Sequence, residues 1–375
     1  MESKRRNDGV DLLRGIAILL VLILHFHLTY QLNVTPIDSP FLSDALEAVA
    51  RNGNYGVTMF FAVSGFLIMS TSVRRFGSLG AIEPATFYGY RASRILPCLV
   101  LVLLAIVALG SLGLRSFVDK PDTASTLVAV LSVLTFWHNV LMAKVGYFNY
   151  AMNILWSLSV EEVFYLAFPI LCLLLRRRRY IVLFLCVPIV VGPIYRSLHA
   201  HDEIVALYDY GSCFDAIAMG GCAALLPLRR ISRGRSRAVR AIAAAAITVV
   251  YLCGPIMQNV VWGVSVVAFC TAILLYSFRD GSHDEANAPH AALRMIRWFG
   301  QRSYELYLFH IVVLGILREF VTRETIGVGA KPLWLIFYVG VSALVAELVF
   351  RCYSEPLNDA LRRGAVRFSP RYLQK

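Results

Sequence analysis

An arginine and a histidine, Arg14 and His25, stand eleven residues apart at the two ends of one apolar stretch, RGIAILLVLILH. On an α-helix eleven residues make about three turns, so both side chains project from one face, roughly 16 Å apart along the axis. Ionisable residues in such stretches are costly and commonly functional. A neutral imidazole can take a proton from a hydroxyl or attack a thioester, and a guanidinium suits phosphate. The alternatives are an arginine that anchors the helix end and a histidine that only packs between helices.

Further polar residues interrupt other apolar stretches. FFAVSGFLI contains Ser64 and Gly65, and the segment WSLSVEEVFYL contains Trp156, Ser157, Ser159, Glu161 and Glu162. Counting 1.5 Å per residue from the outer ends of these helices places the serines, the glutamates and His25 at comparable depths. Adjacent glutamates point about 100° apart, so we expect only one of the two to face His25.

Three more groups complete the set of candidate residues. Arg91 and Arg94 are three residues apart in FYGYRASRILP, which we interpret as a short loop before an apolar helix. Together with Arg14 they could form a cationic entrance for phosphate groups, or they could simply anchor the membrane boundary. His310 and Glu347 lie in later apolar stretches, where packing and pairing with a nearby arginine are the simpler explanations.

The elements that must position these residues are helices that cross a membrane. The chain has 375 residues, of which 58% are hydrophobic, well above the usual fraction for a soluble domain. Apolar stretches of about 20 residues, the length that spans a bilayer, predict an all-α integral membrane bundle of about ten helices. They lie near 11–31, 55–73, 95–114, 153–175, 180–198, 209–228, 239–256, 260–278, 303–322 and 331–350.

The positions of the basic residues predict the orientation of this bundle. Of 36 Lys and Arg, 27 lie in the termini and in alternate connections. By the positive-inside rule both termini are cytoplasmic, and the net charge of +12 reflects topology rather than binding of nucleic acid. We expect one membrane domain over residues 1–375, with no appended soluble domain. The long connection at 115–152 is expected to contain a short interfacial helix.

Six motifs, in order, resemble the acyltransferase 3 family of membrane O-acyltransferases. They are DLLRGIAILLVLILH, GVTMFFAVSGFLI, FYGYRASRILP, LWSLSVEEVFYLAFP, SYELYLFH and YSEP, and they run through nearly the whole chain. The resemblance implies ten core helices, a cytoplasmic acyl-CoA donor, most often acetyl-CoA, and an acceptor hydroxyl reached at the outer side or within the membrane. It implies no permanently bound cofactor and no metal.

By position, the resemblance makes Arg14 and His25 the paired catalytic motif. Arg14 would hold the donor, His25 would act as general base or acyl carrier, and Glu161 or Glu162 would orient its ring. Donor binding is expected from Arg91, Arg94, Ser64 and Gly65, and acceptor contacts or structural roles are expected from Trp156, Ser157, Ser159, His310 and Glu347. The sequence departs from the family pattern at Thr58, Cys213 and Glu305.

The resemblance implies a multi-pass protein of the bacterial cytoplasmic membrane that acylates a carbohydrate such as an O-antigen or exopolysaccharide. A separate periplasmic protein could receive the acyl group. Two alternatives remain open from the sequence. One is a transporter or flippase, for which we expect repeats and Gly/Pro-broken helices that the sequence does not display. The other is an acyltransferase whose acceptor is a small molecule that is not a glycan.

Overall fold

A computed structural model describes residues 7–32, 40–121, 123–229, 232–279 and 290–367, and within these ranges the chain forms helices and no β-strand. The helices are α1 (Asp8–Tyr30), α2 (Pro40–Arg51), α3 (Tyr55–Phe76), α4 (Pro84–Ser111), α5 (Thr126–Leu134), α6 (His138–Val145), α7 (Trp156–Leu175), α8 (Arg178–Leu198), α9 (Glu203–Tyr208), α10 (Tyr210–Leu225), α11 (Arg233–Leu252), α12 (Val260–Ser277), α13 (Ala291–Gln301), α14 (Ser303–Phe320), α15 (Lys331–Val349) and α16 (Glu355–Arg367). The all-α class is therefore confirmed.

Each of the ten predicted spans coincides with a helix, but not all of these helices have the length and composition of a membrane span. In the described residues seven segments do: Asp8–Tyr30, Tyr55–Phe76, Pro84–Ser111, Asn153–Leu175, Arg178–Leu198, Ile256–Ser277 and Val328–Arg363. Helix α10 has only 16 residues, and α11 and α14 carry several charged residues. The count of ten spans and the cytoplasmic termini thus remain predictions.

Two predicted boundaries differ from the structure. The segment FYGYRASRILP is helical rather than a loop, because α4 begins at Pro84, whose fixed φ suits the first turn of a helix. Helix α11 likewise begins within the arginine-rich segment, where the Ser232 side chain accepts a hydrogen bond from Arg235 N. In the long connection at 115–152, two short helices, α5 and α6, form where one was expected.

The chain divides into two compact units. The first unit comprises Met1–Thr71, Val182–Ser303 and Gly327–Pro332, and the second comprises Ser72–Ile181, Tyr304–Ile326 and Leu333–Lys375. Arg14, His25, Ser64 and Gly65 belong to the first unit. The other predicted site residues, from Arg91 to Glu347, belong to the second unit.

Glycines set the distance between α1 and α13 in the first unit. A Cβ atom on Gly300 would lie 1.8 Å from the carbonyl oxygen of Asp11, and one on Gly15 would lie 1.9 Å from that of Ile296. The backbone of the other helix therefore occupies the space that a side chain would need at each glycine. Such small residues let helix backbones approach closely, which is how helices gain packing energy where lipid offers no hydrophobic advantage.

The contact between α3 and α10 repeats this arrangement. A Cβ atom on Gly65 would lie 1.8 Å from the Ile217 carbonyl oxygen, and one on Gly220 would lie 1.8 Å from that of Ala62. Neither position has room for a side chain unless the helices move apart.

A buried ion pair joins α8, α10 and α12 in the first unit. Arg196 Nη2 donates to Asp215 Oδ2 and to Ser265 Oγ, both at 2.6 Å, while Nη1 donates to the Ser212 carbonyl oxygen. Arg196 and Asp215 are both completely buried. Removing either partner would leave an uncompensated charge, which is far more costly than losing an exposed pair.

Hydrogen bonds between helices connect the second unit. The Tyr304 hydroxyl of α14 donates to the Ile95 carbonyl oxygen of α4 at 2.9 Å, and Tyr88 of α4 donates to the Leu166 carbonyl oxygen of α7 at 2.6 Å. A π-helical turn, Phe350–Ser354, joins α15 to α16. There the Ser354 hydroxyl donates to Glu305 Oε1 of α14 at 2.7 Å, which fixes the start of α16.

We predict that Gly220→Ala lowers the free energy of unfolding by about 1–3 kcal/mol, because the new methyl group would meet the Ala62 backbone rather than a flexible side chain. The midpoint of thermal unfolding of the purified protein in detergent, followed by a thiol-reactive dye, measures this effect. Gly340→Ala is the control, since nothing lies within 4 Å of a Cβ atom there. Equal midpoints for Gly220→Ala and wild type would contradict the packing described for α3 and α10.

Candidate functional site

Helix α1 presents Arg14 and His25 as the sequence predicts, on one uninterrupted helix. Asn7 caps its first turn by accepting hydrogen bonds from Gly9 N and Val10 N, and acidic residues there suit the positive end of the helix dipole. Since α1 stays helical from Asp8 to Tyr30, the two side chains lie about 16 Å apart along its axis. Both are half-buried.

A hydrogen bond to the backbone determines which nitrogen of His25 can act as a base. His25 Nδ1 lies 2.9 Å from the carbonyl oxygen of Val21. A carbonyl oxygen only accepts, so Nδ1 carries the proton, and Nε2 holds the lone pair when the ring is neutral. The same bond fixes the plane of the ring. The geometry therefore equips Nε2 to take a proton or to attack a carbonyl carbon.

Ser64 and Gly65 lie in the middle of α3, also in the first unit. Close packing against α10 explains the glycine at position 65 without any ligand, since the Ile217 backbone occupies the space of its side chain. Their predicted role in donor binding stays a prediction.

In the second unit Arg91 meets both predicted glutamates. Its guanidinium lies over the ring of Tyr165, 3.6 Å from the centroid, and interacts electrostatically with Glu161 and Glu162. The Tyr165 hydroxyl donates to Glu161 Oε2 at 3.1 Å. One turn of α7 thus supplies two carboxylates and an aromatic ring to one arginine of α4.

This arrangement leaves two buried polar atoms without partners. Glu162 is 8% exposed, and its Oε1 atom has no hydrogen-bond partner. The buried Nε atom of Arg91 also has no hydrogen-bond partner. Buried polar atoms are nearly always paired, and exceptions call for a reason such as a bound group. A carboxylate oxygen and a guanidinium nitrogen could accept from and donate to a polar substrate.

The predicted residues Ser157 and His310 both contact Tyr307, whose ring centroid is 5.9 Å from that of His310. Ser157 Oγ and Tyr307 Oη are 2.7 Å apart, and the Tyr307 hydroxyl donates to the Ile154 carbonyl oxygen at 3.0 Å. His310 Nδ1 donates to the Leu306 carbonyl oxygen at 3.0 Å, so it has the same tautomer as His25 when neutral. Trp156 is buried at the start of α7.

Ser159 has a structural contact with the corner between α5 and α6. Its hydroxyl accepts a hydrogen bond from His138 N at 3.1 Å. The buried His138 ring lies between Ser132 Oγ, 2.7 Å from Nδ1, and the Met152 carbonyl oxygen, 3.1 Å from Nε2. Burial lowers the pKa of His138 to about 4, so the ring is neutral, with its proton on Nε2.

The two remaining predicted residues are Arg94 and Glu347. Arg94, one turn after Tyr90 on α4, is exposed. Glu347 of α15 pairs with Arg351, four residues later in the π-helical turn, as expected for a carboxylate close to basic residues.

Three positions depart from the family pattern, and two of them have defined contacts. Glu305 is buried and accepts the hydrogen bond from Ser354, and Cys213 Sγ donates to the Leu207 carbonyl oxygen at 3.3 Å. Thr58 is buried in α3.

The structure thus groups the predicted residues by unit. It brings Arg91 together with Glu161 and Glu162, while the convergence of the glutamates with His25 stays a prediction. Tyr165 and Tyr307 are not among the residues predicted from the sequence. Both had a signal, since Tyr165 is one helical turn after Glu161 and Tyr307 is one turn before the predicted His310.

Comparison with known proteins gives one family and several relatives that align with 95–99% of this chain. A family model described as an acyltransferase domain matches residues 7–351. The peptidoglycan O-acetyltransferase OatA of Listeria monocytogenes is 23% identical over 95% of this chain and 56% of its own length. A Staphylococcus aureus protein and a Bacillus subtilis protein are each 24% identical, over 99% and 95% of this chain. They carry provisional names as an O-acetyltransferase and a peptidoglycan O-acetyltransferase.

The chain spans no more than about 60% of the length of these curated relatives. No solved structure matches it.

We predict that His138 makes the protein less stable as the pH falls. In the unfolded chain His138 takes up a proton near pH 6.5, whereas in the folded protein it does so only near pH 4. Its contribution to the free energy of unfolding is therefore fully present above pH 6.5 and is lost as the pH falls from 6.5 to 4. The loss amounts to about 3 kcal/mol. Unfolding midpoints from pH 7.5 to about 4 for wild type and His138→Gln measure it, with the exposed His201→Gln as control. A pH slope that is unchanged in His138→Gln would contradict the neutral, buried ring.

Proposed function

The chain belongs to the acyltransferase 3 family, and on that basis we propose that it is a membrane O-acyltransferase. It moves an acyl group, with acetyl as the first candidate, from cytoplasmic acyl-CoA to a hydroxyl group of a carbohydrate. The acceptor is extracytoplasmic or lipid-linked. The protein works as a multi-pass protein of the bacterial cytoplasmic membrane.

The hydrogen bond from His25 Nδ1 to the Val21 carbonyl oxygen is the observation that supports this proposal most directly. A catalytic base needs one defined nitrogen with a lone pair and a fixed direction, and this bond supplies both for Nε2. His310 makes the same bond to the Leu306 carbonyl oxygen, so His25 is distinguished by its place on one face of α1 with Arg14, eleven residues away.

In the reaction that we propose, Nε2 removes the proton of the acceptor hydroxyl as the oxygen attacks the thioester carbonyl carbon. A carbon–oxygen bond forms and the carbon–sulfur bond breaks. The sulfur leaves as thiolate and receives the proton from the imidazolium, so the free ring returns. In the alternative order, Nε2 attacks the thioester carbonyl carbon and the carbon–sulfur bond breaks, so that the thiolate leaves and the ring carries the acyl group. The acceptor oxygen then attacks the acyl carbon, the carbon–nitrogen bond breaks, and the thiolate takes up the hydroxyl proton, so the neutral ring returns.

The charged groups have separate tasks in this proposal. Arg14 binds the donor at the cytoplasmic end of α1, and Arg91 and Arg94 contribute further cationic groups. The axial distance of about 16 Å from Arg14 to His25 lets an extended pantetheine arm carry the thioester from the donor side to the acceptor side. Glu162, whose Oε1 atom has no partner, is the stronger candidate for contact with a reacting or orienting group, because Tyr165 already donates to Glu161.

The names of the relatives suggest the class of acceptor. One relative is a peptidoglycan O-acetyltransferase by name, which makes a surface carbohydrate the first acceptor to test. Transfer could also proceed through a separate periplasmic protein that accepts the acyl group.

We predict that His25→Ala lowers acetyl transfer and the release of free CoA thiol by at least about a hundredfold, the usual contribution of a general base. The assay uses the full chain in lipid nanodiscs with acetyl-CoA and extracted cell-surface glycan. His27→Ala is the matched control, since this half-buried histidine is two residues away on another face of α1. Unchanged thiol release in His25→Ala would contradict the catalytic role, and no thiol release from wild type would favour a transporter.

We predict that Arg14→Ala weakens binding of acetyl-CoA by about tenfold, because it removes charge-assisted hydrogen bonds to phosphate. Calorimetric titration of the nanodisc protein with acetyl-CoA measures this change. The control is Arg235→Ala, which removes an exposed arginine from the basic segment at the start of α11. If both variants bound acetyl-CoA as tightly as wild type, Arg14 would not be the donor clamp.

We predict that the acceptor can be identified in cells by its ester-linked acyl groups. Mass spectrometry of surface and secreted glycans from cells with the protein, without it, and with His25→Ala is expected to find acyl esters only in the first. Identical glycans in all three would exclude a glycan acceptor and direct the search to small hydroxylated molecules.

A further inference from the structure

Two arginines from distant parts of the sequence meet at one aromatic ring in the second unit. The guanidinium of Arg75, in the last turn of α3, lies 3.6 Å from the centroid of the Tyr90 ring, and that of Arg362, in α16, lies 5.7 Å from it. The two guanidinium carbons are therefore less than about 10 Å apart, the limit set by those two distances. We name Arg75, Tyr90 and Arg362 the Tyr90 cluster.

The Tyr90 cluster brings two positive charges close together. Arg75 interacts repulsively with both Arg362 and Arg74. In the described part of the chain neither Arg75 nor Arg362 forms an ion pair, although Asp359 is only one turn before Arg362 on α16. The face of one tyrosine ring attracts cations but cannot neutralise two of them.

The hydrogen-bonding capacity of the cluster is also unused. A guanidinium has five N–H donors, and the face of an aromatic ring offers no conventional hydrogen-bond acceptor for them. Arg362 Nε is buried and has no acceptor. An anion with several oxygen atoms that binds between the arginines would reduce their repulsion and would accept a hydrogen bond from the buried donor. Phosphate has this chemistry, and the planar fork of arginine matches it.

Helix α16 holds Arg362 beside Tyr90. Helix α16 follows the π-helical turn at Phe350–Ser354, where Ser354 donates to the buried Glu305 of α14. Helix α16 then packs along α4. A residue that departs from the family pattern, Glu305, thus anchors the helix that carries Arg362.

The cluster also lies next to the arginines that we assign to donor binding. Tyr90 directly precedes Arg91 and is four residues before Arg94, which places Tyr90 and Arg94 on one face of α4 about 6 Å apart along its axis. We propose that the Tyr90 cluster is a phosphate-binding site, with the phosphate groups of the acyl-CoA donor as its ligand. This assignment rests on the proposed function, whereas the phosphate chemistry itself does not. The alternative source of the same phosphate chemistry is an anionic lipid headgroup.

The test compares Arg362→Ala with the matched control Arg363→Ala, whose arginine is the exposed neighbour on α16. The full chain is placed in nanodiscs of phosphatidylcholine, and CoA binding is measured by calorimetry. We expect about tenfold weaker binding for Arg362→Ala and for Arg75→Ala, wild-type binding for Arg363→Ala, and partial recovery in Arg362→Lys. Unchanged thermal midpoints confirm that the variants are folded.

A second readout separates the phosphates from the rest of the donor. S-acetylpantetheine carries the thioester but none of the nucleotide phosphates. We expect Arg362→Ala to raise the KM for acetyl-CoA while leaving kcat and the turnover of S-acetylpantetheine unchanged. An equal loss with both donors would overturn the assignment, because it would indicate a general structural defect.

A third arm tests the lipid source. Nanodiscs that contain phosphatidylglycerol are analysed for retained lipid by native mass spectrometry. If Arg362→Ala loses bound phosphatidylglycerol but binds CoA as wild type does, the phosphate belongs to lipid and the donor assignment is overturned. If it loses neither, the cluster is not a phosphate site. Wild-type protein that binds no CoA and releases no thiol would instead refute the proposed function.

Discussion

Hydrocarbon offers no hydrogen bonds, and this single constraint shapes both units of the protein. Each polar group placed in an apolar helix must find its partner inside the protein. In the first unit Arg196 and Asp215 satisfy one another in complete burial, and Ser265 and the Ser212 backbone take up further donors. Helix backbones also approach closely, and glycine rather than a larger residue stands where α3 crosses α10.

The same constraint gives meaning to the groups that it leaves unsatisfied. Buried polar atoms without a hydrogen-bond partner occur in both units: Arg196 Nε and the Tyr55 hydroxyl lie in the first, and Glu162 Oε1, Arg91 Nε and Arg362 Nε form a further group of three. All three belong to the second unit, and all three lie on or beside α4. A small polar ligand that comes and goes needs such atoms, because a permanent internal partner would compete with it. Incomplete pairing beside α4 therefore agrees with a ligand site there.

The sequence was sufficient for local features and insufficient for distant ones. Apolar stretches located every long helix, and the helical period placed Arg14 and His25 on one face, because both depend on neighbouring residues. The start of α4 was missed since residues 84–94 are too polar to resemble a span, although Pro84 is a good first helical residue. The pairs Ser157–Tyr307 and Ser354–Glu305 are 150 and 49 residues apart, and no periodicity connects them.

The Arg196–Asp215 pair also has a consequence for how the chain is made. Asp215 follows Arg196 by 19 residues, so the arginine at the end of α8 leaves the ribosome slightly ahead of its counter-ion. A lone guanidinium in hydrocarbon is costly. The ion pair forms only when α10 arrives, which favours insertion of α8, α9 and α10 as one hairpin. A buried charge in the finished fold thus couples the insertion of consecutive helices.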